Sequence, residues 1–240
     1  MLERTLYMST PTFKLSRRGF MAAGMAGTAL VTLAQHPFGH AAVPDLADYV
    51  PVFFSENEWT FINAATSRLI PSDGEGPGAL EARVPVFIDL QLAGDFGAAA
   101  DWYMNAPHNP SANPLMGFQS PLPPADIYRQ GILYFDDWCK ETHGSAFESL
   151  DAATQDLALV ALEKGDVGLP DNLRDFFALL LQNTKEGYFS DPRYGGNHGM
   201  AAWVYIGFPG ARASFLEWND PAMDNVIYPL GPVSISGERA

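Results

Sequence analysis

Between Pro124 and Gly144, Ile127, Gly131, Tyr134 and Trp138 recur at i, i+4, i+7 and i+11. That spacing puts them on one face of an α-helix and on no face of a strand. A proline at the start and a glycine at the end are the boundary residues such a helix uses. The same grammar recurs along the chain. Ser55 and Glu58 have the spacing of a capping box, and Phe54 and Trp59 flank it where a hydrophobic staple would sit. Trp59, Ile62, Thr66, Leu69 and Ile70 then follow helical spacing until Pro71-Ser72-Asp73-Gly74 ends the run. A helix starting near Pro85 carries Phe87, Ile88 and Leu92 up to Gly94, and a short helix is expected over 96–103. Asp151 caps a helix with Leu157, Val160 and Ala161 inside, ended by Gly165. Pro170-Asp171 opens the next, with Leu173, Phe176, Phe177, Leu180 and Leu181 on one face and Gly187 as its stop. A short helix over 200–206 and a turn over 211–218 complete the series.

No alternating run has the length and turn signals of a sheet. The expected fold is therefore all-α, a single helical domain with long Pro/Gly-rich loops and an extended C-terminal tail over 219–240. The longest loop, 104–124, holds six prolines and three asparagines. Ordered loops of that length are uncommon inside compact domains and often functional.

The N-terminus belongs to a different kind of segment. Ser16-Arg17-Arg18-Gly19-Phe20-Met21 places Phe20 one residue after the arginine pair Arg17 and Arg18, the pattern of a twin-arginine export signal. The apolar run after it, residues 21–33, is shorter than the roughly 20 residues a membrane-spanning helix needs. Gly39-His40-Ala41 offers a small-x-small cleavage site. The expected organisation is a twin-arginine signal peptide over 1–41 and a helical domain over 42–240. That pathway carries folded cargo, so the chain, or something travelling with it, is expected to fold before export.

Charge narrows the partners. The leader holds four of the 14 basic residues and one of the 28 acidic ones, leaving 10 and 27, a formal charge of −17. Phosphate binding needs a basic face, so a nucleic-acid partner is not expected. An anionic membrane surface would repel the domain as well. The only cysteine, Cys139, excludes an internal disulfide, a Cys-only iron–sulfur site and a C-x-x-C-H haem site in this chain. It is expected to be buried.

Few motifs offer chemistry. Gly74-Glu75-Gly76-Pro77-Gly78 follows a helix and contains proline, so it reads as a connector and not as a phosphate cradle. Asp136, Asp137, Glu141 and His143 lie together, but ordinary helix electrostatics accounts for acids along a helix with His near its C-terminus. His108 reads as a solvated loop residue. No Gly-x-Ser-x-Gly elbow is present. The most distinctive stretch is Gly187-Tyr-Phe-Ser-Asp-Pro-Arg-Tyr-Gly-Gly-Asn-His-Gly-Met200, followed by Trp203 and Ile206-Gly207-Phe208-Pro209. Tyr188, Phe189, Arg193, Tyr194, Asn197 and Trp203 are its candidate partner-interface residues, since large amphipathic rings and arginine are what interfaces favour. A compact loop packed back onto the helices is the competing reading.

Taken in order, these pieces give a resemblance. A twin-arginine leader precedes an early helix ending Arg68-Leu69-Ile70-Pro71-Ser72-Asp73. Gly78-Ala79 and the Val84–Asp89 helix follow, and then the 187–197 stretch with Trp203 and Ile206-Gly207-Phe208-Pro209. The chain resembles the gluconate 2-dehydrogenase subunit 3 family over most of residues 55–210. The resemblance implies a three-part enzyme. A large FAD-containing subunit would oxidise a sugar or sugar acid, and a multihaem cytochrome c subunit would pass its electrons to membrane quinone. The small subunit would bind the flavoprotein, help it mature and carry it through the twin-arginine translocon to the periplasmic side of the inner membrane. FAD and haem c would sit in the partners, and the resemblance assigns this chain no catalytic, cofactor-binding or metal-binding residue. Two other readings stay open. One is an autonomous periplasmic enzyme using a metal or the carboxylates near His143. The other is a periplasmic binding module without redox chemistry.

Overall fold

A computed structural model describes residues 46–109, 112–223 and 229–240. The leader, with Arg17, Arg18 and Phe20, lies outside the described residues. Among the described residues six α-helices form: α1 (Glu56–Leu69), α2 (Val84–Ala93), α3 (Pro124–His143), α4 (Ala152–Lys164), α5 (Phe176–Phe189) and α6 (Ala201–Ile206). Short 3-10 turns join them, and among the described residues there is no β-strand, only isolated bridges from Val233 to Gly210 and to Arg239. The fold is all-α, as the residue spacing requires. No helix among the described residues is long and apolar enough to cross a membrane.

The order of the core follows from α2. Its sequence is mostly apolar, and Val84, Pro85, Val86, Phe87, Ile88 and Leu92 are all buried. A helix without a polar face has to be central, and α2 packs against α1, α3 and α5. Aromatic rings fill the space between the other helices. Phe61 meets Phe147 at 5.2 Å and Phe135 edge-on at 6.1 Å, while Tyr128 meets Phe176 edge-on at 5.9 Å. Cys139 is buried, and burial pushes its thiol up to about 12, with the nearby Asp136 and Glu148 charges adding to the shift. It packs as a small hydrophobe.

Gly131 lets α3 come close to Phe176 of α5. A Cβ placed there would come within 2.5 Å of the Phe176 ring, which is itself fully buried. Gly131→Ala therefore sets a helix-propensity gain of about 1 kcal/mol against the overpacking of a rigid ring, which typically costs 1–3 kcal/mol. We expect net destabilisation of up to about 2 kcal/mol, read as a lower urea midpoint with an unchanged m-value.

Several expected details shift. In α3 the buried face is Ile127, Tyr128, Gly131, Ile132, Phe135 and Cys139, leaving Tyr134 at the edge with its hydroxyl donating to the Gly168 carbonyl. In α4 the inner residues are Gln155, Ala158, Leu159 and Leu162, and the expected Leu157 and Val160 face outward. Contacts beyond the helix itself set that rotation. Gln155 donates to the Phe147 carbonyl at 3.0 Å, and Arg68 grips Asp156 with two bonds of 2.7 Å. Residues 96–103 form turns and no helix. Ala99 has φ +51°, and Gly97 lies so close to the Leu92 backbone that no side chain fits. Pro170-Asp171 opens only a 3-10 turn, and α5 begins at Phe176.

Gly187 does not stop α5, which runs on to Phe189. Its missing side chain serves a close approach instead, since a Cβ there would lie 2.9 Å from Phe87 of α2.

The lead-in to α1 is held by one side chain. Asp89, fully buried on α2, accepts the Tyr49 hydroxyl at 2.7 Å and the backbone N–H groups of Val52, Phe53 and Phe54 at 2.7–3.0 Å. The Ser55–Glu58 capping box forms as expected. Glu58 is also paired with Arg129 of α3 at 2.8 Å, and Arg129 donates to the Phe53 carbonyl. The N-terminal segment is thus fastened to α2 and α3 before the first helix begins.

Candidate functional site

The stretch after α5 is a braced loop. Ser190 ends the helix in an extended conformation, and Asp191 then caps a 3-10 turn at Pro192–Tyr194 by accepting the Arg193 N–H at 3.1 Å. Gly195 turns the chain with φ +95°. Gly196 folds so tightly onto α5 that a Cβ would overlap the Gly187 carbonyl oxygen. Asn197, fully buried with φ +43°, closes the loop at both ends. Its Nδ2 donates to the Ser190 carbonyl at 2.9 Å, and its Oδ1 accepts the Ala202 N–H at 3.0 Å. Asparagine tolerates this left-handed conformation better than most residues.

Further bonds lock the loop to its surroundings. Trp203 Nε1 donates to the Phe189 carbonyl at 2.8 Å, the Tyr188 hydroxyl to the Pro77 carbonyl at 2.7 Å, and the His198 N–H to the Ala82 carbonyl at 3.2 Å. Of the six candidate interface residues, Tyr188, Asn197 and Trp203 are therefore buried and spend their polar atoms inside the fold. Phe189, Arg193 and Tyr194 remain on the surface, with the Arg193 guanidinium 5.6 Å from the Tyr194 ring centre.

Two features escaped the sequence. Asp191 is buried, and its second oxygen accepts the Ile235 N–H at 2.6 Å, so the tail is drawn back onto the loop. The expected extended tail is not what forms among its described residues: Pro221–Met223 is a 3-10 turn, and further on Val233 bridges both Gly210 and Arg239. Between tail and α6 lies an apolar groove of about 210 Å³, walled by Trp203, Val204, Phe208 and Pro209 on one side and Gly231 and Pro232 on the other. Beside it, Val204, Tyr205 and Ile206 are each more than half exposed. An Asp-Pro pair in a glycine-rich stretch was a signal for a cap, but nothing local pointed to a partner 44 residues away.

The acidic cluster on α3 is dispersed into separate contacts. Asp136 accepts the Phe147 N–H at 3.2 Å, Asp137 pairs with Lys140 at 3.0 Å, and His143 stands edge-on to Trp138 at 5.4 Å. Burial pushes the Asp136 carboxyl up to about 6; the Phe147 hydrogen bond opposes this and the Glu148 charge adds to it. Among the described residues no three His, Cys, Asp or Glu side chains converge on a point where a metal ion would sit. In the 74–78 loop the Gly78 N–H is taken by Glu81 at 2.7 Å, and Ser72 donates to the other oxygen of the same carboxylate. No strand precedes that loop.

Comparison with known families gives one match. The model of the family described as gluconate 2-dehydrogenase subunit 3 matches residues 56–210, from the first residue of α1 to the first partner of the tail bridge. No curated protein and no solved structure gives a significant match.

Proposed function

We infer the function from one established premise: the chain belongs to the gluconate 2-dehydrogenase subunit 3 family. It is an accessory protein of that type, associated with the subunits of a dehydrogenase complex. Our reading goes further. The chain binds the FAD-containing large subunit, assists its maturation and takes it through the twin-arginine translocon on the signal formed by Arg17, Arg18 and Phe20. In the periplasm, at the inner membrane, the pair joins a multihaem cytochrome c subunit, which receives the electrons. FAD and haem c belong to those partners.

The observation that carries this reading is the family match on a chain that itself bears the Arg17-Arg18 leader. A leader for folded cargo, on a member of an accessory-subunit family, fits a cofactor that travels in a partner. The bracing of residues 187–203 supports the same reading, because a rigid surface loses less entropy on docking.

The test is a paired substitution, Arg17→Lys with Arg18→Lys, in cells producing the native flavoprotein partner. Flavin and dye-linked dehydrogenase activity are measured in periplasmic and cytoplasmic fractions. At least a tenfold shift of the flavoprotein from periplasm to cytoplasm is expected. Undisturbed export of the flavoprotein would remove the escort role.

A further inference from the structure

A 3-10 turn at Phe147–Ser149 joins α3 to α4, and its first residue is held from both sides. Asp136 on α3 accepts the Phe147 N–H at 3.2 Å, and Gln155 on α4 donates to the Phe147 carbonyl at 3.0 Å. Between these two bonds the fully buried Phe147 ring meets Phe61 at 5.2 Å and Phe135 at 5.4 Å. The Asp136 carboxyl is thus tied directly to the centre of the core.

The next residue, Glu148, makes that carboxyl unusual. Its Oε2 is shielded from solvent and, among the described residues, accepts no hydrogen bond. A buried acceptor left without a donor is costly. After burial, the charges of Asp136 and Glu148 are what raise the Cys139 thiol, and both also favour the charged Lys140, behind its bond to Asp137. The two carboxyls therefore act on one small region between α3 and the turn. Like charges so placed favour a proton held between them, because ionising both costs more than ionising either.

We propose that Asp136 and Glu148 form a proton-operated clasp between α3 and the 147–149 turn. Protonated Asp136 donates from one oxygen to the unbonded Glu148 Oε2 and keeps the Phe147 N–H on the other; its ionisation loosens the turn. The remaining groups around the pair do not replace that proton. α3 adds Asp137 and Lys140, which pair with each other at 3.0 Å, and the buried Cys139. α4 adds the neutral Gln155, and the Arg68–Asp156 pair between α1 and α4 is closed on itself. His143, at the end of α3, has a buried Nε2 that also lacks a hydrogen bond, so it is the rival donor.

The direction in pH follows. Burial first, then the Glu148 and Asp137 charges, raise the Asp136 carboxyl from 3.8 to about 6, against the Phe147 N–H and Lys140. Folding therefore takes up a proton here. The stability it brings is fully present below 3.8 and is lost as pH rises through about 6. A carboxylate held by a cation, such as Asp156 beside Arg68, behaves in the opposite way.

Asp136→Asn tests the clasp in the complete chain, because its amide copies the protonated carboxyl, with an oxygen for Phe147 and an N–H for Glu148. At pH 8 the variant is expected to fold with an equilibrium constant roughly tenfold above the native one, less than the hundredfold of a two-unit shift because solvent screens a partly exposed pair. The gain should shrink toward none at pH 4. In the native chain, opening at the Phe147 amide, from hydrogen exchange corrected for its intrinsic rate, should grow roughly threefold or more between pH 5 and 8. Glu148→Gln should remove most of the pH-dependent gain, whereas His143→Gln and the surface control Asp137→Asn should leave it in place. An Asp136→Asn variant no more stable than native at pH 8, with Phe147 opening flat in pH, overturns the clasp. Loss of the gain with His143→Gln, or its full survival with Glu148→Gln, overturns it as well.

Discussion

Asp89→Ala is expected to destabilise the folded chain by about 3–5 kcal/mol, because it removes four hydrogen bonds at once from a fully buried carboxylate. Each bond to a carboxylate contributes roughly 1.5–3 kcal/mol, and each buried donor left behind costs about 1–3 kcal/mol unless water reaches it. The sum is limited because the freed segment can peel away. The lead-in is held otherwise mainly by Arg129 at Phe53 and by the burial of Phe54. Two signatures should therefore appear together. The thermal midpoint should fall by roughly 10 °C, using 2–4 °C per kcal/mol for a domain of this size. Limited proteolysis should open within residues 46–54 while the α2–α5 core stays protected. Asp89→Asn keeps an oxygen for two of the donors but turns an NH2 toward the others, so its loss should be smaller. Burial raises the Tyr49 phenol, and the Asp89 hydrogen bond and charge raise it further, so its hydroxyl stays a donor. A melting point for Asp89→Ala within 2 °C of the native value would show that the segment is anchored elsewhere.

The second large effect is expected at Asn197. Asn197→Ala loses the bond to the Ser190 carbonyl and leaves the buried Ala202 N–H without its acceptor. It also places alanine at φ +43°, where a residue with a Cβ other than asparagine or aspartate is strained by about 1–2 kcal/mol. Together these give roughly 2–4 kcal/mol. Two companions separate the causes. Asn197→Gly loses the same bonds without the strain, so it should recover about 1 kcal/mol of the loss. Asn197→Asp keeps an acceptor for Ala202 but sets a carboxylate against the Ser190 carbonyl. Hydrogen exchange at the Ala202 amide should rise in the Ala and Gly variants and stay slow in Asp. Fast exchange in the native chain would contradict the closed loop.

These two residues show what could and could not be read from the chain alone. Ser55 with Glu58, Asp151, Gly144 and Gly165 act over one helical turn, and the structure places each where local chemistry requires it. The helix period itself is local, so the all-α class was legible. Which face turns inward was less so. Leu157 is as apolar as Leu159, and only Gln155 reaching Phe147 and Asp156 reaching Arg68 choose between them. Gly187 resembled a helix stop because glycine serves two ends, conformational freedom and close approach, and the sequence does not say which. Here Phe87 on another helix decides. The candidate interface was half legible for the same reason. Its aromatic and arginine content marked residues 187–203, yet burial of Tyr188 and Trp203 depends on carbonyls at Pro77 and Phe189. The groove was not legible, because one of its walls comes from the tail.

The ring cluster around Phe61 has a consequence in time. Its partners Phe135, Phe147 and Phe176 lie far downstream, the last 115 residues later. At the usual 5–20 residues per second, a ribosome needs roughly 6–23 s to deliver Phe176 after Phe61. Through that interval the ring cluster on the inner face of α1 stays incomplete. If the chain is exported as proposed above, a leader that engaged the export machinery at once would present an unfinished core. The expected sequence is then synthesis, closure of α5 onto α1, and only then departure. A delay is thus written into the order of the helices.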